Sequence, residues 1–348
     1  MIASEKQIRE FVGAHDRLHV RGLGSKPALH QVDAPILDMS ALGGIVDYQP
    51  QEFTLTVRAG TPLREVIDAL AEQGQYLPFD PLLPDSASIG GTVASNLSGS
   101  RRHRFGGARD FVLGAAVVDG AGQAYTVGGK VVKNAAGFDL AKFLVGSLGR
   151  YAILTELTVK VFPDVPQFRS LRFRYANLAD ALTASYAINS SHFDLDALDI
   201  LPGADGAAVL ARLGGFSDSL PARAERFRDF VAKTTAPQHI EGSKDELSLW
   251  DCVAGLGGAC LAKVTLAPRQ LLALDAAVDK AQRRYILAGN IAFVACEDAD
   301  WLGDALAGLG LRGLLLRGGA RSPLLGAPLE NVLAARVKAT LDPLGKLV

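Results

Sequence analysis

Cysteine, methionine and tryptophan are scarce in this chain, at 3, 2 and 2 of 348 residues, and Cys252, Cys260 and Cys296 show no CxxC spacing. That argues against a disulfide framework and against a zinc or iron–sulfur site, and it fits a reducing compartment. No apolar run reaches the ~18 residues that a membrane-crossing helix needs. The opening MIASEKQIREFVGAH lacks the apolar centre of a signal peptide and has the spacing of an amphipathic helix. A formal net charge of −1 gives no pull toward nucleic acid or an anionic surface. The expectation is a cytoplasmic protein with no transmembrane segment, held peripherally at the inner membrane, if at all, through partners. The six histidines are each isolated in sequence, so no pair has metal-ligand spacing on a helix face and no metal site is expected. A GxSxG elbow is missing, and Gly129-Lys130 has neither the upstream glycine nor the following Ser/Thr of a P-loop.

What is present is apolar content of 49%, enough over this length for two domains with cores of their own. One stretch stands apart. Residues 84–110, PDSASIGGTVASNLSGSRRHRFGGARD, are dense in Gly, Ser and Ala. Gly90, Gly91 and Gly99 allow the backbone to lie against a flat ligand, and Ser86, Ala87, Ser88, Ala94 and Ser95 keep the approach open. A flexible linker would not interleave Ile89, Val93 and Leu97 at intervals of four. The run Arg101-Arg102-His103-Arg104 reads as a solvated loop.

Upstream, the short strand Arg17–Val20 enters Arg21-Gly22-Leu23-Gly24-Ser25-Lys26. Such a turn is either an ordinary reversal or a nest of backbone N–H groups for phosphate oxygens, with Arg21 or Lys26 adding charge. Alternating strands are expected near 36–38, 44–48 and 53–58, then a helix with Thr61 as N-cap and Leu63, Val66, Ile67 and Leu70 as its buried stripe, ended by Gly74. A hairpin is expected over 111–127, a short helix capped by Asp139, and a long strand from Tyr151 to Phe162. Pro163 and Pro166 mark the domain boundary. The second half alternates strands and helices in an α+β pattern. Gly308-Leu309-Gly310-Leu311-Arg312-Gly313 spells GxGxxG, but it follows a helical pattern and precedes a strand, the reverse of a dinucleotide fingerprint, so it reads as a turn.

Taken in order, Arg21–Ser25, Ser88–Asn96 with Gly99, Gly107–Gly114, Lys133–Leu140 (KNAAGFDL), Gly146–Gly149 and Ile153–Glu156 resemble the FAD-binding domain of the vanillyl-alcohol-oxidase or PCMH-type flavoproteins. Within that family the chain is most similar to the FAD-binding subunits of bacterial glycolate oxidases. The resemblance implies an α+β fold: a PCMH-type two-subdomain FAD-binding domain over 1–165, a smaller α+β cap domain over 166–325, and a C-terminal helix in 326–348 returning to the first domain. It implies that Arg21, Gly22, Leu23, Gly24 and Ser25 form one pyrophosphate turn. Ser88, Ile89, Gly90, Gly91 and Ala94, with Asn96 and Gly99, would line pyrophosphate and isoalloxazine, and the backbone of Ile153 would meet the adenine. Members that attach FAD covalently often have histidine where this chain has Ser25, so noncovalent FAD is expected.

The implied partners are a second flavoprotein subunit and an iron–sulfur subunit, and the implied substrate is a small 2-hydroxyacid. The histidine-bearing motif of self-sufficient relatives has no counterpart here: Ala288-Gly289-Asn290 is followed by Ile291-Ala292-Phe293. No catalytic base is assigned. Two rivals stay open: a stand-alone D-2-hydroxyacid dehydrogenase using Arg or Lys for the carboxylate and His192 or His239 as base, and a scaffold that has lost FAD.

Overall fold

The computed structural model describes residues 2–129, 139–243, 249–253, 255–328 and 332–348. Helix α1 (Glu5–Ala14) is capped by Ser4, whose hydroxyl accepts from the Gln7 N–H, and it buries Ile8 and Val12. Strands β1 (His19–Arg21) and β2 (Ile36–Asp38) form a parallel pair, and Leu347 bridges to Leu18 beside them. A five-stranded antiparallel sheet follows, in the order β3 (Ile45–Gln49), β4 (Thr54–Arg58), β8 (Ala152–Lys160), β6 (Val112–Asp119), β7 (Ala124–Gly128). Leu55, Val57, Leu157 and Val159 come from one face of it and pack with Leu63, Val66 and Leu70 of helix α2 (Leu63–Ala71). In the β6–β7 hairpin the Asp119 carboxylate accepts from the N–H groups of Ala121 and Gln123, which fixes the turn.

Thr61 does not cap α2 as expected. Its hydroxyl donates to the Arg58 carbonyl at 2.6 Å and accepts from the Gly44 N–H at 2.9 Å, and the first N–H of the helix is taken by the Ala87 carbonyl. Tertiary partners have replaced the local cap. The glycine-rich stretch is more regular than its composition suggests. It contains α3 (Ile89–Ser95), α4 (Arg102–Phe105) and α5 (Ala108–Phe111), with Ile89 and Val93 buried against the five-stranded core. Lys133–Phe138 of the KNAAGFDL segment lie outside the described residues; Asp139 caps the turn α6 (Leu140–Phe143) through the Lys142 N–H at 3.1 Å.

After the two-residue pairing of Gln75–Tyr76 with Phe162–Pro163, the chain builds a nine-stranded sheet that begins at Gln167–Tyr175. Helices α7 (Leu178–Asn189) and α8 (Leu220–Thr235) cover one face through Ala181, Ala184, Ile188, Phe227 and Val231. The other face meets the first half. Leu82 and Leu97 pack there on Leu261, Ile286, Phe293 and Leu316. In the strand Cys260–Thr265 the period of two sends Cys260, Ala262 and Val264 toward the helices and Leu261 with Lys263 toward the first half. In the GxGxxG stretch, Gly308 ends a helix, Gly310 has φ +66° and Gly313 lies in a strand, the turn read from sequence.

The basic run 101–104 corrects the expectation of a solvated loop. Arg104 binds Asp194 and Asp196, and the Arg101 guanidinium lies 4.0 Å from the Tyr76 ring centroid and 5.0 Å from that of Phe168. Beside it, Ser100 donates to Asp199 at 2.6 Å, and Arg284 donates twice to the same carboxylate oxygen, at 2.7 and 3.0 Å. Charges became docking groups because their partners, distant in sequence, are fixed carboxylates in the second half. Asp199 is fully buried and Arg284 only 7% exposed. Replacing Arg284 with methionine should therefore lower unfolding free energy by about 3–5 kcal/mol, the cost of a buried charge losing its partner. Ser100→Ala should cost about 1.5–3 kcal/mol. Urea denaturation of both variants checks this, and parent-like midpoints would remove the network from the account of the interface.

Candidate functional site

β1 ends at Arg21, and its register with β2 sets Arg21 opposite Asp38, whose carboxylate takes the guanidinium at 2.7 Å. Arg21 is thereby committed to the sheet. The chain then turns through Gly22–Lys26, with Gly24 at φ +76°, a left-handed conformation that favours glycine. The turn lies flush against the start of α3: a Cβ on Gly22 would stand 2.4 Å from the Ser88 hydroxyl oxygen. Ser88 itself caps α3, accepting from the Gly91 N–H at 3.2 Å.

The two adjacent glycines of α3 have different duties. A Cβ on Gly90 would sit 2.6 Å from the Ala59 carbonyl oxygen, so Gly90 permits helix-to-backbone packing. A Cβ on Gly91 would meet only the Ser88 hydroxyl at 3.1 Å and the Lys26 ammonium at 3.8 Å, so that glycine keeps space open. Lys26 is 5% exposed, and its Nζ donates to the Ser25 hydroxyl at 2.9 Å. Burial lowers its pKa to about 8, and no carboxylate pairs with it among the described residues. A buried ammonium without a counter-charge is costly, and an anion brought to it relieves that cost.

Turn and helix wall a cavity of about 970 Å³, the open solvent at its mouth included. Of the residues singled out in the sequence, Gly22, Leu23, Gly24, Ser25, Ser88, Gly90, Gly91 and Ala94 line it. Five others do not. Arg21 is held by Asp38, Ile89 points into the core of the five-stranded sheet, and Gly99 packs on Asp80 and Leu82. Asn96 ends α3 in the left-handed conformation and gives its carbonyl to Lys263 at 2.6 Å. Ile153 lies in β8 among Ile8, Val12 and Leu18, and its neighbour Leu154 reaches the cavity instead.

The Gly146–Gly149 segment quoted for the resemblance brings Leu148 and Gly149 to the lining, while sequence reasoning missed His19, Leu29, His30, Met39, Ala59, Arg150 and, from the second half, Pro323. The histidines had a signal: they flank the glycine turn, and the 3-10 turn Pro27–His30 brings them to 2.9 Å from each other. His192 and His239 are elsewhere. His192 opens on a surface cleft with Phe193 and Phe230, and His239 stands beside Glu241 on an edge strand.

Around the same stretch several buried polar atoms have no protein partner among the described residues: Thr92 Oγ1, Asn96 Oδ1, Ser98 Oγ, Ser147 Oγ and two nitrogens of Arg101. Orphaned polar groups are rare in native interiors and mark places where something else supplies the hydrogen bonds. None of these residues lines the cavity; what fits a flat ligand bearing phosphate is the open glycine backbone with Lys26 beside it.

The comparisons agree with this geometry. Residues 3–138 match the FAD binding domain family. The glycolate oxidase subunit GlcE of Escherichia coli (strain K12) is 37% identical over 222 residues, 60% of this chain and 63% of that protein. The D-2-hydroxyglutarate dehydrogenase of Xanthomonas citri is 37% identical over 38% of this chain and 28% of its own length. The chain thus spans less than two thirds of these relatives. Crystalline p-cresol methylhydroxylase superposes over 99% of this chain and 86% of its own with a TM-score of 0.76 at 14% identity. An alkyldihydroxyacetonephosphate synthase superposes over 99% of this chain and 75% of its own at 0.71 and 15%. The α+β, PCMH-type fold implied by the resemblance is the fold observed. Residues 3–138 thus match the FAD binding domain family, and with the flavoprotein-type relatives that match supports FAD as the cofactor of this chain.

Proposed function

We propose that this chain is the FAD-binding subunit of a complex that oxidises glycolate or a related 2-hydroxyacid, carrying reducing equivalents on noncovalent FAD. The observation that carries the reading is the cavity wall, where a Gly22–Lys26 turn and the Gly91 face of α3 meet around one buried ammonium. Bound there, FAD supplies the two-electron acceptor of the reaction; the chain's own residues position it. Lys26 and the backbone of the turn would face the diphosphate. The same reading divides the chain at 1–165 and 166–325. It is supported by the return of the final segment to the first half, where the Leu341 carbonyl accepts from Gly120 and Lys338 donates to the Arg150 carbonyl.

Noncovalent attachment is supported by Ser25, which holds the position where histidine would be expected and is engaged by Lys26, and by the cysteines, none of which lines the cavity. Membership of a complex is supported by the likeness to GlcE of E. coli and to the glycolate oxidase subunit GlcD of Bacillus subtilis, 34% identical over 43% of this chain. Taking a proton from a substrate hydroxyl needs a positioned base. His192 and His239 lie away from the cavity, which favours relay through a second flavoprotein subunit and an iron–sulfur subunit over stand-alone turnover.

Acid precipitation of the purified chain should leave all flavin in the supernatant; yellow colour retained in the pellet would disprove noncovalent attachment. Glycolate or D-lactate added to the isolated chain should bleach the flavin slowly or not at all, and rapid stoichiometric bleaching would sink the relay. Gly91→Val should abolish FAD retention while the protein still folds, whereas Gly90→Ala should lower the yield of folded protein by forcing a Cβ against Ala59. Absorbance and circular dichroism of the two variants separate these outcomes, and a Gly91→Val protein as yellow as the parent would move the flavin elsewhere.

A further inference from the structure

In the cavity wall His19 and His30 are joined ring to ring, Nε2 of His19 lying 2.9 Å from Nδ1 of His30. Nδ1 of His19 lies 3.2 Å from the main-chain oxygen of Val348. That oxygen accepts, so His19 Nδ1 carries a proton, and in the neutral ring Nε2 is then a lone pair. His30 Nδ1 must therefore donate, which leaves His30 Nε2 as a second lone pair. That nitrogen has no hydrogen-bond partner among the described residues. In the neutral pair it meets an anion as acceptor against acceptor. One proton on Nε2 makes it a charged donor without disturbing either existing bond.

Among the described residues no Asp or Glu side chain acts on that nitrogen. On β1 stands Arg21, already paired with Asp38 of β2; ahead of the 3-10 turn stands Lys26; from the segment after α6 comes Arg150. The strand Arg312–Arg317, which packs on the 3-10 turn, brings two arginines, and both are turned to carbonyls of their own half: Arg312 to Ala327 and Pro328, Arg317 to Leu256 and Gly258. Burial, with His19, Arg21 and Lys26 nearby, lowers the His30 pKa to about 4, and burial lowers that of His19 as well.

We propose that His30, oriented by His19, is a protonatable contact for the diphosphate of FAD, so that cofactor binding takes up a proton and tightens as pH falls. The proposal rests on the FAD site described above. Without an anion His30 stays neutral down to about pH 4. A diphosphate beside it raises that value, and between the two values the complex holds a proton that the free chain lacks. Affinity then rises as pH falls through that window, by up to about tenfold per pH unit, and the effect vanishes above it. Lys26, at about 8, takes up its own proton on binding near pH 8 and none near pH 6, where it is charged in both states.

Calorimetric titration of the cofactor-stripped full chain with FAD at pH 6, in two buffers of different ionisation enthalpy, counts the protons. Uptake approaching one per FAD is expected in the parent. In His30→Gln it should disappear at pH 6 while uptake near pH 8 persists; His30→Asn replaces that variant if circular dichroism shows it unfolded. FAD binding without proton uptake at pH 6, or uptake unchanged in the variant, overturns the assignment and leaves the FAD site standing. No FAD binding at either pH overturns the FAD site itself.

Discussion

The structure depends on two backbone contacts that leave no room for a side chain. Gly22 sits so close to Ser88 that a Cβ would fall 2.4 Å from its hydroxyl oxygen, and Gly90 sits on Ala59 with 2.6 Å between the corresponding positions. The first joins the β1 turn to the head of α3; the second joins α3 to the end of β4. Between them they set the depth of the cavity and bury Lys26, because a turn held flush to a helix has nowhere else to send its lysine. The lowered pKa of Lys26 follows from that burial, and the lowered pKa of His30 from burial first and then from His19, Arg21 and Lys26 nearby.

Much of this was legible in the sequence, where local chemistry decides the outcome. Glycines and small residues announced the turn and α3, period-two alternation announced β4 and β8, the hairpin turn announced β6, and Asp119 and Asp139 acted as the turn and cap residues they resemble. What escaped was decided by partners far away in the chain. Arg21 looks like a phosphate ligand until the parallel register sets Asp38 against it. Thr61 looks like a helix cap until Arg58 and Gly44 claim its hydroxyl. The run Arg101–Arg104 looks solvated until Asp194 and Asp196 meet it. His19 and His30, eleven residues apart, become a pair only because the 3-10 turn folds back onto β1. Among the site residues, backbone formers were therefore easier to recognise than charged side chains. A glycine's role is its own, and an arginine's belongs to whatever carboxylate arrives first.

The contact between the halves also bears on the cofactor wall. α3 is gripped at both ends. Its head is fixed by Ser88 and the β1 turn, and beyond its tail the second half holds Asn96 through Lys263 and Ser100 through Asp199 and Arg284. Lys263 is 9% exposed; burial first, then Arg102 nearby, brings its pKa to about 8, so its bond to the Asn96 carbonyl is made in a place of low dielectric where such bonds are strong. By register Lys263 stands opposite Phe293, and Phe293 opposite Arg284, so both grips come from one sheet, from the strands on either side of Ile291–Cys296. The backbone between those grips carries Gly91 and Ala94, which line the cavity, so the contacts that hold the two halves together also hold the cavity wall in place.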